Sequence, residues 1–334
     1  MNVGENCTRK YQTIMPSIER NGEKMPDWLP VFNDEMADFW SGEMLWNTTL
    51  TSYTTFRVGG AAEALVFPRG VKELSQLIQG LRKINVPWHV IGRGSNIVVS
   101  DKGVKGVVIV FGHNFSSRQI VEESADLVQV KVEAGHSLSG LVNWSVEKGL
   151  SGLEFAVGIP GTIGGAIVMN AGAWGEEIRD VIVSVTMMDE KGNSITRKRD
   201  EIDFTYRSWG EVDSMIAVEG VFELEKSDPA RIKRRCQDFH ESRKNMQPQN
   251  KPSGGSFFKN PPGGKSAGQL IDESGLKGLR AGGAEVSSVH ANFIVNDGSA
   301  TAADIIKLMH IIQQRVEEAS GISLQPEVRF LGWE

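Results

Sequence analysis

The chain has 334 residues, 40% of them hydrophobic and 23% charged, with a formal net charge of −6. That length supports two domains or one enzyme unit of several lobes, and the composition is that of an ordinary soluble globular protein. The acidic balance argues against general nucleic-acid binding, and no apolar run approaches the roughly 20 residues of a membrane span.

Residues 1–46 read as a polar, irregular extension with no apolar core of signal-peptide length. A short helix is expected around "DEMADFW". The two cysteines, Cys7 and Cys236, form neither a CxxC pair nor a metal spacing, which fits a reducing, cytoplasmic setting. From 47 the text changes. A strand is expected at 62–67. "VKELSQLIQGLRKI" then sets Val71, Leu74, Leu77, Ile78, Leu81 and Ile84 on one helical face. "WHVIG" and "GVVIVFG" read as further strands, completing a β-α-β unit.

A second lobe is expected from 113 to 226. "DLVQVKVEAG" alternates, with Val128, Val130 and Val132 on one face. The helix "SLSGLVNWSVEKG" ends at Gly149, and "VIVSVTMMD", "EKGN" and "SITRKRDEIDFTYR" read as a hairpin or meander. A third unit is expected from 227. Asp228-Pro229 caps and opens a helix. "SAGQLIDESG" is a short helix, and "TAADIIKLMHIIQQRVEEASG" opens with Thr301 and Asp304 in capping-box spacing. Its stripe is Ile305, Met309, Ile312 and Val316, and "LQPEVRFLG" closes the chain as a strand.

Two glycine-rich loops carry the functional signal. "GIPGTIGGAIVMNAGAWG" has too many glycines for turns alone, and "IGRGSN" adds Ser95 and Asn96 as donors. Backbone without Cβ atoms lets a flat or polyanionic ligand lie against main-chain N–H groups. The plain alternative is that each loop is a turn. Neither is a GxGxxG fingerprint or a GxxxxGK[ST] loop, so a dinucleotide held by another fold is the better reading.

"FRVGGAAEALVFP", "VIGRGSNIVVSDKGVKGVVI", "GLEFAVGIPGTIGGAIVMNAGAWG", "FTYRS", "GGSFFKNP" and "LQPEVRFLG" occur in order. Together, over residues 47–332, they resemble the UDP-N-acetylenolpyruvoylglucosamine reductase family. The resemblance implies an α+β fold. A two-lobed FAD-binding domain of the vanillyl-alcohol-oxidase type (47–112 and 113–226) would precede an α+β substrate-binding domain (227–334). It implies noncovalent FAD, NADPH as hydride donor, and the enolpyruvyl ether of UDP-N-acetylglucosamine as substrate. No histidine lies in either glycine loop to carry a covalent link. The FAD pyrophosphate would lie near Gly92, Arg93, Gly94, Ser95, Asn96 and Ile97. The ring would lie near Gly158, Ile159, Pro160, Gly161, Thr162, Gly164, Gly165 and Ala166. The short 175–207 segment resembles the compact class of the family, without an extra tyrosine-bearing loop.

In the reaction that the resemblance implies, hydride reaches C3 of the enolpyruvyl group and charge gathers at C2 and its carboxylate. The intermediate needs electrostatic stabilisation and a proton. Ser256 matches the family's proton donor; read alone, "PSGGSFFKNP" equally suits a structural hydroxyl, and no neighbouring base supports a nucleophile. Arg207 in "DFTYRSW" matches the family's arginine, a planar fork for a carboxylate, against a plain strand arginine. Glu327 matches its glutamate, which could donate a hydrogen bond if burial keeps it protonated, against an edge-strand charge. Lys259, Asn260, Asn292 and Trp174 are the substrate-side candidates. Trp174 stands where the family often has tyrosine or phenylalanine. The run Arg231, Lys233, Arg234 and Arg235 reads as mostly solvated. No metal constellation is present in the sequence, and a monomer is expected. Another flavin oxidoreductase of the same fold, or a nucleotide-sugar-binding module without turnover, are the competing readings; flavin absorbance and substrate-dependent NADPH oxidation separate the three.

Overall fold

Pro30 sits in the first turn of a helix, where its missing N–H costs no hydrogen bond. That helix, α1 (Leu29–Met36), buries Leu29, Phe32 and Met36 at i, i+3 and i+7 against α2 (Val71–Lys83). The structure, a computed structural model, describes residues 26–210, 215–249 and 251–333. Residues 1–25 of the expected extension, with Cys7, lie outside them. Two expectations for the rest of that extension are corrected. The helix starts before "DEMADFW" and stops at Met36, because the apolar spacing runs back to Leu29. Strand β1 (Glu43–Thr49) also crosses the expected boundary at 46, pairing antiparallel with β2 (Ala61–Phe67).

The first lobe holds the sheet β1-β2-β5-β3, with β3 at Trp88–Ile91 and β5 at Val104–Val110. Both β2 and β3 run parallel to β5. Leu74, Leu77, Ile78 and Leu81 of α2 pack on Ala64, Val66, Val107 and Ile109. Strand β4 (Ile97–Val99) follows the first glycine loop and lies outside this sheet.

The second lobe is an antiparallel sheet in the order β9-β8-β10-β7-β6. Its members are β6 (Arg118–Glu123), β7 (Leu127–Glu133), β8 (Ile182–Met188), β9 (Ser194–Lys198) and β10 (Ile216–Lys226). Val128, Val130 and Val132 all face the core, as their alternation requires. Ser137 caps α3 (Leu138–Lys148), and left-handed Gly149 ends it. Helix α4 (Ile163–Val168) begins in the second glycine loop with Thr162 as its cap. The expected meander is only partly formed. Its second strand ends at Lys198, and Thr205–Ser208 make a tight turn in place of a strand. Helix α5 (Pro229–Met246), capped by Asp228, packs on α3 and on Glu154–Ala156. It therefore lies with the second lobe, although the boundary expected at 227 puts it in the third.

The third unit combines α6 (Ala267–Glu273), the antiparallel strands β11 (Arg280–Ala281), β12 (Ala284–Val286) and β13 (Ile294–Asn296), and α7 (Ala302–Ser320). The α7 stripe Ile305, Met309, Ile312 and Val316 is buried as expected. The last strand, β14 (Arg329–Leu331), leaves this unit and pairs in parallel with β4. Asp101, just past β4, accepts the N–H groups of Ala302 and Ala303 at 2.8 and 2.9 Å, capping α7 from the first lobe.

Candidate active site

The two glycine loops meet. Ser95 Oγ donates to the Pro160 carbonyl at 2.9 Å, and a Cβ on Gly92 would lie 2.4 Å from Thr162 Oγ1. The loops fit a flat, anionic group. A Cβ on Gly161 or Gly165 would meet only Ser95 Oγ at 3.4 Å or Thr162 Oγ1 at 3.6 Å, so their Cα faces open outward. Ile159, Pro160 and Arg93 lie at the accessible rim, and Ala166 is buried beneath. Gly164 does not belong to the open face. It is buried, donates its N–H to the Ala134 carbonyl at 2.8 Å, and its missing Cβ makes room for Ala134 Cβ at 2.9 Å. Its glycine is required by packing between α4 and the end of β7.

Asn96 turns from the first loop toward the C-terminus. Its Nδ2 donates to the Glu327 carbonyl at 3.1 Å, while its own carbonyl accepts from Arg329 N at 3.0 Å. With the parallel pairing of Ile97 and Arg329, this hangs Glu327 at the edge of the glycine loops.

The serine loop lies against the same segment. Gly254 is where the ring of Phe56 packs onto the backbone, since a Cβ there would sit 2.2 Å from Phe56 Cε2. Gly255 takes φ +80°, a left-handed turn suited to glycine. Beyond half-buried Ser256, Phe257 O accepts from Glu327 N and Lys259 N donates to Gln325 O, both at 2.8 Å. Ser256 and Glu327 are thereby neighbours across a short backbone ladder.

Arg207 completes the group. Its Nε lies 3.0 Å from Glu327 Oε1, the two side chains being 22% and 13% exposed. Its Nη2 donates to Gly172 O at 3.1 Å. Arg207 has φ +59°, uncommon for a long side chain. Asn170, fully buried, supports that turn by donating to Thr205 O at 3.1 Å. Burial pushes the Glu327 carboxyl above its usual range; Arg207 and then Lys259 pull it back, but burial is the larger effect.

Sequence reasoning missed Arg243. It stands at i+8 from Arg235 and i+4 from Phe239 on α5, a spacing that sets all three on one face. Its Cδ would lie 3.0 Å from a Cβ on Gly158. Its Nε is buried with no hydrogen-bond partner, and burial plus the nearby Arg207 lower its basicity. The charge of Arg207 thus acts on a largely buried second guanidinium.

The other candidates divide. Lys259 is half-buried and close enough to Glu327 to act on its charge. Asn260 is exposed, and its Oδ1 accepts the Ala267 N–H at the start of α6. Trp174 is 41% exposed at a left-handed turn and stacks on Phe239 with ring centroids 5.3 Å apart. Asn292 is 4% exposed, with its amide engaged by the Phe258 backbone. Arg235 pairs with Glu176 at 2.6 Å, so the basic run is not wholly solvated. No group of His, Cys, Asp and Glu suited to a metal occurs among the described residues, and no described helix is long and apolar enough to cross a membrane.

Comparison with known proteins places the chain among its relatives. Residues 62–197 match the family described as "FAD binding domain". Residues 247–331 match "UDP-N-acetylenolpyruvoylglucosamine reductase, C-terminal domain", which begins after α5. The UDP-N-acetylenolpyruvoylglucosamine reductase of Heliobacterium modesticaldum is 41% identical over 87% of this chain and 91% of its own length. That of Bacillus subtilis is 38% identical over 87% and 95%. The crystal structure of the corresponding Thermus caldophilus reductase superposes with a TM-score of 0.74 at 36% identity, covering 88% of this chain and 100% of that one. With such relatives along nearly its whole length, the chain belongs to the UDP-N-acetylenolpyruvoylglucosamine reductase family.

Proposed function

We propose that the cleft reduces the enolpyruvyl group of UDP-N-acetylglucosamine enolpyruvate to the lactyl ether of UDP-N-acetylmuramate, a step of peptidoglycan synthesis, with the roles divided as follows. FAD, when bound, would supply hydride chemistry at C3, drawing on NADPH. The loops Gly92–Ile97 and Gly158–Ala166 would hold FAD noncovalently, the open faces of Gly161 and Gly165 leaving room for it. Arg207 takes the substrate carboxylate in its guanidinium fork. Arg243 faces the same anion and offsets the charge that gathers as C3 becomes a methyl group. Glu327, protonated, donates a hydrogen bond to the resulting enediolate. Ser256 passes its hydroxyl proton to C2, and the alkoxide left behind regains one from solvent. Lys259 and Asn260 lie on the nucleotide side, with Trp174 at the rim. A monomer acting in the cytoplasm, with substrate-side residues drawn from 247–333, completes the reading.

The observation that carries it is the Arg207–Glu327 contact at 3.0 Å, one backbone ladder away from Ser256. The test separates the two half-reactions by rapid mixing. In Ser256→Ala, reduction of bound flavin by NADPH proceeds nearly as before. Its reoxidation by the enolpyruvyl nucleotide slows by about 10²–10⁴-fold, the usual contribution of a general acid. Equal slowing of both half-reactions would overturn the assignment of Ser256.

A further inference from the structure

We propose that Asn292 is the positioning residue of proton delivery, fixing Ser256 relative to Glu327 without touching substrate; this rests on the reading of Ser256 as proton donor. Asn292 is 4% exposed. Its side-chain Oδ1 accepts from Phe258 N at 2.9 Å, and its Nδ2 donates to Phe258 O at 2.8 Å. Its own carbonyl accepts from Phe257 N at 2.7 Å. Three of the four backbone groups of the dipeptide after Ser256 are therefore bound to one residue. The fourth, Phe257 O, accepts from Glu327 N at 2.8 Å. Asn292 and the Gln325–Glu327 segment thus grip Phe257–Lys259 from opposite sides. Asn292 is held in turn, its N–H donating to His290 Nδ1 at 3.2 Å.

An asparagine suits this place because its amide carries one donor and one acceptor side by side, matching a peptide N–H and C=O. An aspartate keeps the acceptor for Phe258 N and sets a second acceptor against Phe258 O. An alanine leaves both Phe258 groups without this partner. Both faults lie at Phe258, two residues from Ser256, and spare the glycine loops. A displacement of about 1 Å at a reacting group costs up to about 10²-fold in rate, so the loss is confined to the step in which C2 takes its proton.

The experiment uses flavin-loaded enzyme with Asn292→Ala, Asn292→Asp, Ser256→Ala and the double variant S256A/N292A. Expected for Asn292→Ala and Asn292→Asp are near-normal flavin reduction by NADPH and reoxidation slowed by about 10–10²-fold. A larger solvent deuterium isotope effect should accompany the slowed reoxidation. Hydrogen exchange should be faster at the Phe257 and Phe258 amides. The double variant should be no slower than Ser256→Ala, because a residue acting through Ser256 has nothing left to position once the hydroxyl is gone. Additive slowing in the double variant, equal slowing of both half-reactions, or unchanged reoxidation would each overturn the proposal. If Asn292→Ala fails to fold, the nearly isosteric Asn292→Asp reads the same quantities. If Ser256→Ala itself leaves reoxidation unchanged, the underlying reading of Ser256 fails, while the exchange data still report whether Asn292 holds the loop.

Discussion

Arg207 lies near enough to Arg243 to lower its basicity, and Glu327 is at contact distance from Arg207. Glu327 has a raised pKa because it is buried, so its proton is retained to higher pH than in a free glutamic acid. Chemistry and stability that depend on the protonated carboxyl are present at low pH and decline as pH rises through the raised value. The rate of flavin reoxidation is expected to fall along that limb, and Glu327→Gln, which cannot ionise, should lack it; stopped-flow traces over a pH series check this. For Arg243→Met, substrate KM should rise about 10–10²-fold, as loss of a hydrogen bond to a charged group implies. Thermal unfolding of the substrate-free enzyme should be unchanged or later, since a buried Nε without a partner and a like-charge neighbour are both removed. Only the resemblance sets Ser256, Arg207 and Glu327 together, for nothing local to "DFTYRS" or "LQPEVRF" tells that Arg207 and Glu327 meet. Arg243 was readable in principle from its i+4 and i+8 spacing to Phe239 and Arg235, but a helix face says nothing of what it faces.

Helices announced themselves well because their ends carry local chemistry. Asp228, Ser137, Ser266 and Thr301 each accept a backbone N–H at a helix start, as their side chains dictate. Strand β10 was missed although Val218, Gly220, Phe222 and Leu224 alternate inward; Ile216 and Ala217 are also buried and blur the period of two. The second glycine loop was identified as a unit, yet its glycines serve different ends. Gly164→Val should lower stability by about 1–3 kcal/mol through overpacking against Ala134, with or without flavin. Gly161→Val, at φ +149° on the open face, should weaken FAD affinity in addition. Flavin titration and melting of apo and loaded protein distinguish the two. Asp101→Ala removes the cap supplied to α7 by the first lobe, and about 1 kcal/mol of stability should go with it, read by denaturant unfolding.

Across the whole molecule, the joins between elements distant in sequence leave little trace in the sequence. A join depends on which distant surfaces meet. Helix α5 went to the second lobe because its partners, α3 and Glu154–Ala156, lie far back in sequence. The closing strand was expected, but its partner β4 was not, since three-residue parallel pairing leaves no mark on either text. That pairing has a mechanical consequence. The third unit is entered from the second lobe after α5 and left through β14 onto the first, with Asp101 gripping α7 nearby. A body pinned at both ends can rock about the line joining its pins, but it cannot swing away like a door. Glu327 lies two residues before that pairing, next to one of the two joins. Amides in the β4–β14 pairing, such as Ser100 N bonded to Leu331 O, should then exchange with solvent only as fast as the entire protein unfolds.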